Sequence, residues 1–220
     1  MLTSTAAAVV PVFGRLTISD EAGDALASGG IVAANHTSLA DPALVLAALH
    51  RVGVRPVVLA AAGLWRIPLL GRMLTREGCV PVHRDSGRGA IALEAATAAL
   101  AAGRHILIYG EGRLPRRRDA GEAAPETFRS GLARLALESG APVLPVGQAG
   151  ARRFASGHGV KQVSGVLTAP LRRPRAHVHF GAPVHLTGRV PDATAQARDA
   201  VTAAWRTAVE TLGEPVVLAA

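Results

Sequence analysis

The chain has 220 residues, 49% of them hydrophobic and 3% aromatic, which excludes an intrinsically disordered chain and points to a single domain whose core is built from Ala, Val and Leu. Lysine and arginine outnumber aspartate and glutamate by 24 to 16, and nearly all of that positive charge is arginine, which suits phosphate-bearing partners without choosing among nucleic acid, anionic lipid and a phosphorylated small molecule. A lone cysteine, Cys79, excludes an intramolecular disulfide and reads as a small core residue.

No run of about 18 uncharged apolar residues is present, so a spanning helix is not expected. The opening MLTSTAAAVVPVFGRL has no basic region ahead of its apolar run, a poor signal peptide, and residence in the cytoplasm is expected. The first strand is expected at 31–34 (IVAA), followed by a helix over 41–50. A strand at 56–60 (PVVLA), a helix at 64–75, a strand at 79–83 (CVPVH) and a helix at 87–102 come next. Beyond a strand at 105–109 (HILIY), the segment 113–126 is a polar loop rich in Pro, Gly and charge. A helix at 127–139, a strand at 142–147, an irregular stretch at 149–174, a strand at 175–180 and a helix at 192–211 complete the chain. Gly103 and Gly213 end the two long helices. This alternation predicts a single α/β domain over 1–220, with a mostly parallel central sheet flanked by helices.

In an open α/β sheet, ligands collect at the carboxyl ends of the strands. That rule singles out Asn35 and His36, Arg84 and Asp85, Gly110 to Arg113, and Gln148. Residues 35–41 read NHTSLAD. Ser38 is a candidate N-cap with Asp41 three residues on, as in a capping box, and Pro42 fits only a first turn. Asp41 is then about one turn from His36, near enough to hold one imidazole nitrogen while the other accepts a proton. On these residues alone, a capped helix beside a strand-end histidine explains the stretch equally well.

Other stretches shift that balance. Residues 78–84 read GCVPVHR, 106–113 ILIYGEGR, 127–131 TFRSG and 141–146 APVLPV. With Asn35, His36 and Asp41, these blocks resemble, in order and spacing, the glycerolipid acyltransferase family, best known for its 1-acyl-glycerol-3-phosphate acyltransferases. The resemblance covers roughly residues 12–190. Its blocks map onto the Asn-His-four residues-Asp pattern, onto Arg84 at a strand end, onto Tyr109, Gly110, Glu111, Gly112 and Arg113, onto Phe128 to Gly131, and onto Pro145. Gly110 stands where the family usually has proline, and RLPRRRD follows in place of a Thr-Arg-Ser turn.

The resemblance implies transfer of a fatty acyl group from acyl-CoA or acyl carrier protein to the hydroxyl of a lysophospholipid, foremost 1-acyl-glycerol-3-phosphate. His36 would be the general base and Asp41 its orienting partner. Histidine is the side chain that ordinarily titrates near neutrality, and an alcohol needs a base to attack. Backbone N–H groups at the helix start are the expected donors to the tetrahedral oxyanion. Asn35, Ser38, Arg84, Glu111, Gly112 and Arg113 form the expected substrate-binding set. Neither cofactor nor metal is expected: His177 and His179 alternate on a strand without a supporting carboxylate or cysteine cluster. The expected partners are the acyl carrier, the lysophospholipid and an anionic membrane surface on the inner face of the cell membrane. Segment 63–74 (GLWRIPLLGRML) is either a packed helix, a wall of the acyl groove or a stretch dipping into that surface. Few aromatic platforms and no recognition helix argue against nucleic acid. A different lysolipid or alcohol acceptor, and a non-catalytic lipid-binding relative, stay open as alternatives.

Overall fold

A computed structural model of the chain describes residues 1–83, 89–114, 121–155, 160–214 and 216–217. Its central strand is β2 (Ile31–Ala34), paired in parallel with β5 (Ile106–Tyr109) on one side and β7 (Val143–Ala149) on the other. Beyond β5, β3 (Val57–Ala61) and β4 (Val80–Val82) continue in parallel. Beyond β7, β8 (Arg175–Phe180) runs antiparallel to it, and the edge strand β1 (Arg15–Asp20) runs parallel to β8. The seven-stranded sheet has the order β1-β8-β7-β2-β5-β3-β4. A separate two-stranded ladder joins β6 (Glu122–Ala123) to β9 (Val216–Val217).

Every residue of β2 is buried, as a central parallel strand covered on both faces requires. Val32 and Ala34 enter a core shared with α1 (Leu2–Phe13) and α2 (Asp41–Arg51). Ile31 and Ala33 enter the opposite core, with α4 (Gly89–Ala101), α5 (Gly131–Ser139) and α7 (Val190–Leu212). The result is one helix–sheet–helix domain, the α/β architecture expected.

Four local expectations need correction. The helix expected over 64–75 is a 3-10 turn (Ala62–Arg66) followed by α3 (Pro68–Arg76). Pro68 holds Ile67 extended at ψ 111, which separates the two and starts α3. The helix expected from 127 begins at Gly131, because Arg129 N–H donates to the Gly110 carbonyl at 2.9 Å and Phe128 is drawn into the core. The stretch at 149–174, expected to be irregular, contains α6 (Val160–Arg172). Finally, α1 and β1 precede the first expected strand.

The chain leaves β2 toward β3 on one side of the sheet, and later leaves β5 toward β7 on the other. The carboxyl ends of β2, β5 and β7 therefore meet at a topological switch point, the place where open α/β sheets bind their ligands.

Candidate active site

The site starts from Asn35, which is fully buried at the end of β2. Its Nδ2 donates to the Gln148 carbonyl at 3.1 Å and its Oδ1 accepts from Gln148 N–H at 2.8 Å. This double contact clips β2 to β7 and sets the next residue, His36, on the rim of the sheet. The His36 ring stacks on Tyr109, the last residue of β5, with centroids 4.4 Å apart and planes at 31°.

His36 Nδ1 lies 2.9 Å from Asp41 Oδ2. A carboxylate can only accept, so Nδ1 carries the hydrogen and Nε2 keeps the lone pair of the neutral ring. Asp41 is fully buried. Its Oδ2 also accepts the N–H groups of Thr37 and Ser38, the latter at 2.8 Å, and its Oδ1 accepts the Thr37 hydroxyl at 3.3 Å. Buried charge is tolerated where donors saturate it, as here.

Only half of the expected capping box forms. Asp41 takes the Ser38 N–H, but Ser38 Oγ accepts from Ala40 N–H at 3.2 Å and donates to the Ala155 carbonyl at 2.6 Å. Asp41 is itself the first residue of α2, so the loop before it is tied by its carboxylate instead of by Ser38. These contacts also correct the expected oxyanion donors. The N–H of His36 goes to Glu111, those of Thr37 and Ser38 to Asp41, that of Ala40 to Ser38 Oγ and that of Asp41 to the Ser38 carbonyl. Of this run, Leu39 N–H alone has no partner among the described residues.

Glu111 is 4% exposed, and its Oε1 accepts from His36 N–H at 3.2 Å. Burial pushes its carboxyl up to about 8; hydrogen bonds from its own N–H and that of His36 oppose this, and the charges of Asp41 and Glu126 add to it. Glu111 Oε2 and the Tyr109 hydroxyl are both buried without a hydrogen-bond partner among the described residues. Burial, with Asp41 and Glu111 nearby, holds the Tyr109 phenol well above its ordinary range. Gly112 turns the chain with φ +65, a conformation glycine adopts without strain. Arg113 then emerges 58% exposed and meets Glu126 at 3.5 Å. Glu111 thus lies beneath the His36 loop while Arg113 stands outside it. Arg84 and most of the 113–121 loop lie outside the described residues.

The Glu111 shift gives a pH dependence with a definite sign. The folded chain holds this proton up to about 8, whereas an ordinary glutamate releases it near 4.5. The associated stability is complete below that lower value and is lost as pH rises through the upper one. Glu111→Gln cannot ionise and can still accept from His36. Thermal melts should therefore show the variant gaining on the wild type between about pH 5 and about pH 8, and parallel curves across that range would contradict the assignment.

Gly110, where the family pattern has proline, is explained by Phe128. A Cβ at this position would lie 2.2 Å from the Phe128 ring. Gly110 N–H also faces the Ala34 carbonyl at 3.4 Å, a contact proline could not make. Gly110→Ala should destabilise the fold by about 1–3 kcal/mol. In urea melts, Phe128→Leu in the same chain should restore part of that loss, and strict additivity of the two changes would contradict the packing account.

Three contributors were not evident from the sequence. Thr37 closes the ring of donors on Asp41 and accepts from Gln148 Nε2 at 3.1 Å. Arg152, 3% exposed just past β7, donates to the Thr37 carbonyl at 2.9 Å. Glu122, also buried, accepts from Gly150 N–H at 2.8 Å and from Trp205 Nε1 at 3.5 Å. The strand-end rule that selected Gln148 also points toward Arg152, while Glu122, in the short strand β6, is marked by no sequence pattern. His177 and His179 of β8 form a ladder with Thr17 and Ser19 of β1 at 2.8 Å spacings.

A family model described as Acyltransferase matches residues 15–148, which contain His36, Asp41 and Glu111 to Arg113. The chain is 33% identical over 120 residues to a 1-acyl-sn-glycerol-3-phosphate acyltransferase of Borreliella burgdorferi, a match taking in 54% of this chain and 45% of that protein. The crystal structure of the 1-acyl-sn-glycerophosphate (LPA) acyltransferase PlsC from Thermotoga maritima superposes with a TM-score of 0.70 at 18% identity. It covers 97% of this chain and 79% of that one, and so shares the fold. Since the family model spans more than half of the residues, including the blocks gathered at the switch point, the chain belongs to the acyltransferase family.

Proposed function

We propose that this protein transfers a fatty acyl group from a thioester, acyl-CoA or acyl carrier protein, to the hydroxyl of a lysophospholipid, foremost 1-acyl-glycerol-3-phosphate. The observation that carries the proposal is the His36–Asp41 contact at the switch point, with Asp41 fully buried and saturated by donors. Asp41 fixes Nδ1–H, which leaves His36 Nε2 as the base. Nε2 takes the proton as the acceptor oxygen attacks the thioester carbon, and Asp41 stabilises the imidazolium. The tetrahedral intermediate then collapses, the carbon–sulfur bond breaks, and the departing thiolate takes the proton from His36. No covalent acyl-enzyme is required. Glu111, a neutral carboxyl below about pH 8, positions His36 through its backbone. Arg113 and Arg84 are proposed as phosphate ligands, and the protein would meet its acceptor at the inner face of the cell membrane.

A second acceptor is favoured by one observation: Arg113 is exposed and already faces Glu126. A lysolipid with a different headgroup would need less from that guanidinium. Thin-layer analysis of products from a panel of lysolipids separates the two. Failure to form phosphatidic acid from lysophosphatidic acid, with turnover on another lysolipid, would displace the first acceptor and keep the reaction.

A further inference from the structure

The helix that the sequence pattern conceals, α6, carries its apolar stripe on the wrong side for a packed helix. Val163, Val166, Leu167 and Leu171 follow helical spacing along one face, and all four are exposed, Leu167 at 71% and Leu171 at 89%. The opposite face does the packing: Ala169 is fully buried, and a Cβ on Gly165 would come within 3.1 Å of the Phe154 carbonyl.

The place of α6 in the fold makes the stripe informative. It connects the end of β7 to the start of β8, and those strands are antiparallel, with Ala149 opposite His177. α6 therefore runs along the same rim of the sheet that holds His36. Leu39 (60% exposed) lies on this rim just past His36, and Ile67 and Leu69 follow β3 there. Eight of the twelve large apolar side chains exposed among the described residues lie in α6 or in the segments that leave the carboxyl ends of β2 and β3.

Charge accompanies the stripe. Arg15 and Arg175 are register partners on adjacent strands, both exposed, next to the exposed Arg173 at the end of α6. Like charges side by side are unfavourable unless something anionic covers them, and no carboxylate forms an ion pair with any of the three among the described residues. Arg173 also has φ +46 and is the one residue other than glycine with positive φ in the described chain. Its guanidinium donates to the Pro11 carbonyl at 3.4 Å, at the surface beside α1.

We propose that this rim docks on an anionic lipid bilayer, with α6 lying in the interface plane, its stripe among the acyl chains and Arg15, Arg173 and Arg175 on lipid phosphates. This inference rests on the lipid-acceptor reading and names the surface that would bring His36 to the lipid. No helix among the described residues is long and apolar enough to cross a membrane, so a surface mode is the one these elements support.

The test is flotation of the purified chain with vesicles of phosphatidylcholine containing phosphatidylglycerol. Wild type should bind, and less so on pure phosphatidylcholine or at high salt. Leu167→Glu/Leu171→Glu should lower partitioning by about tenfold or more. Arg15→Gln/Arg173→Gln/Arg175→Gln should lower it by about fivefold per arginine and flatten the salt dependence. Leu167→Ser/Leu171→Ser, milder at the same positions, serves if the glutamate pair does not fold. Turnover of a short-chain acceptor below its micelle concentration should be unchanged in the leucine variants. Equal vesicle binding by wild type and both leucine variants would overturn the proposal. So would a wild-type dimer in sedimentation velocity that the leucine variants dissociate, since the stripe would then seat a second copy. Binding that depends on Leu167 and Leu171 upholds the docking face even if no acyl transfer is found, so the two readings fail separately.

Discussion

Asp41→Asn is expected to lower both activity and stability, because one carboxylate performs two tasks. Its Oδ2 receives His36 Nδ1 and the N–H groups of Thr37 and Ser38, and its Oδ1 receives the Thr37 hydroxyl. All of these are donors, and an amide presents a donor of its own on one side. With the side chain fully buried, water cannot compensate. The loss of stability should be about 2–4 kcal/mol. Turnover should fall by about 10²–10⁴-fold as the imidazole loses its enforced tautomer. Urea melts and steady-state kinetics on the same preparation check the pair of effects. A variant equally stable but inactive would restrict Asp41 to orienting the base, and one less stable but fully active would remove it from the reaction.

His36→Ala should separate what Asp41→Asn combines. The ring is 16% exposed, stacks on Tyr109 and makes one hydrogen bond to the protein through its side chain. Its backbone contact with Glu111 survives the substitution. Stability should therefore change little, while kcat falls by about 10³-fold, within the range for loss of a general base. KM should stay close to that of the wild type, since the base acts on the reacting hydroxyl and the remaining contacts hold the ground state. A large rise in KM with kcat preserved would make His36 a binding residue instead.

The sheet was legible where its strands are short apolar runs. IVAA, HILIY and PVLPV form buried parallel strands whose hydrophobicity is nearly continuous, and their sequence shows it. Edge strand β1 (RLTISD) was not legible, because it is exposed or half-buried at most positions and charged at both ends. Helix α6 was hidden by Gly165 and Pro170 within it, and α1 by Pro11 in an apolar run lacking charge. TFRSG has residues that could continue a helix, but Phe128 finds a better place against Gly110, a contact between segments that local propensity does not encode. The reversed direction of β8 is likewise a property of its pairing with β7.

At the site, spacing placed Asp41 within reach of His36 but left a capped helix as an equal reading, and the blocks at the other strand ends tipped the balance. What depends on distant strands did not follow. Asn35 was expected among substrate contacts, and its amide pairs with the backbone of Gln148, 113 positions away. Ser38 is similarly committed to Ala155. Glu111 lies under the His36 loop only because β5 pairs with β2. Of the amides expected to face an oxyanion, all but that of Leu39 are used among the described residues to build the loop that holds His36.

The central claim is that His36, acting as general base, lets a lipid hydroxyl take the acyl chain directly from the thioester. It is tested most directly by incubating wild type and His36→Ala, matched for folding, with labelled acyl-CoA and lysophosphatidic acid, and measuring thiol release and labelled product together. The wild type should form one labelled phosphatidic acid for each CoA released, and His36→Ala should form neither. CoA release by the wild type without ester product, or undiminished product from His36→Ala, would contradict the account.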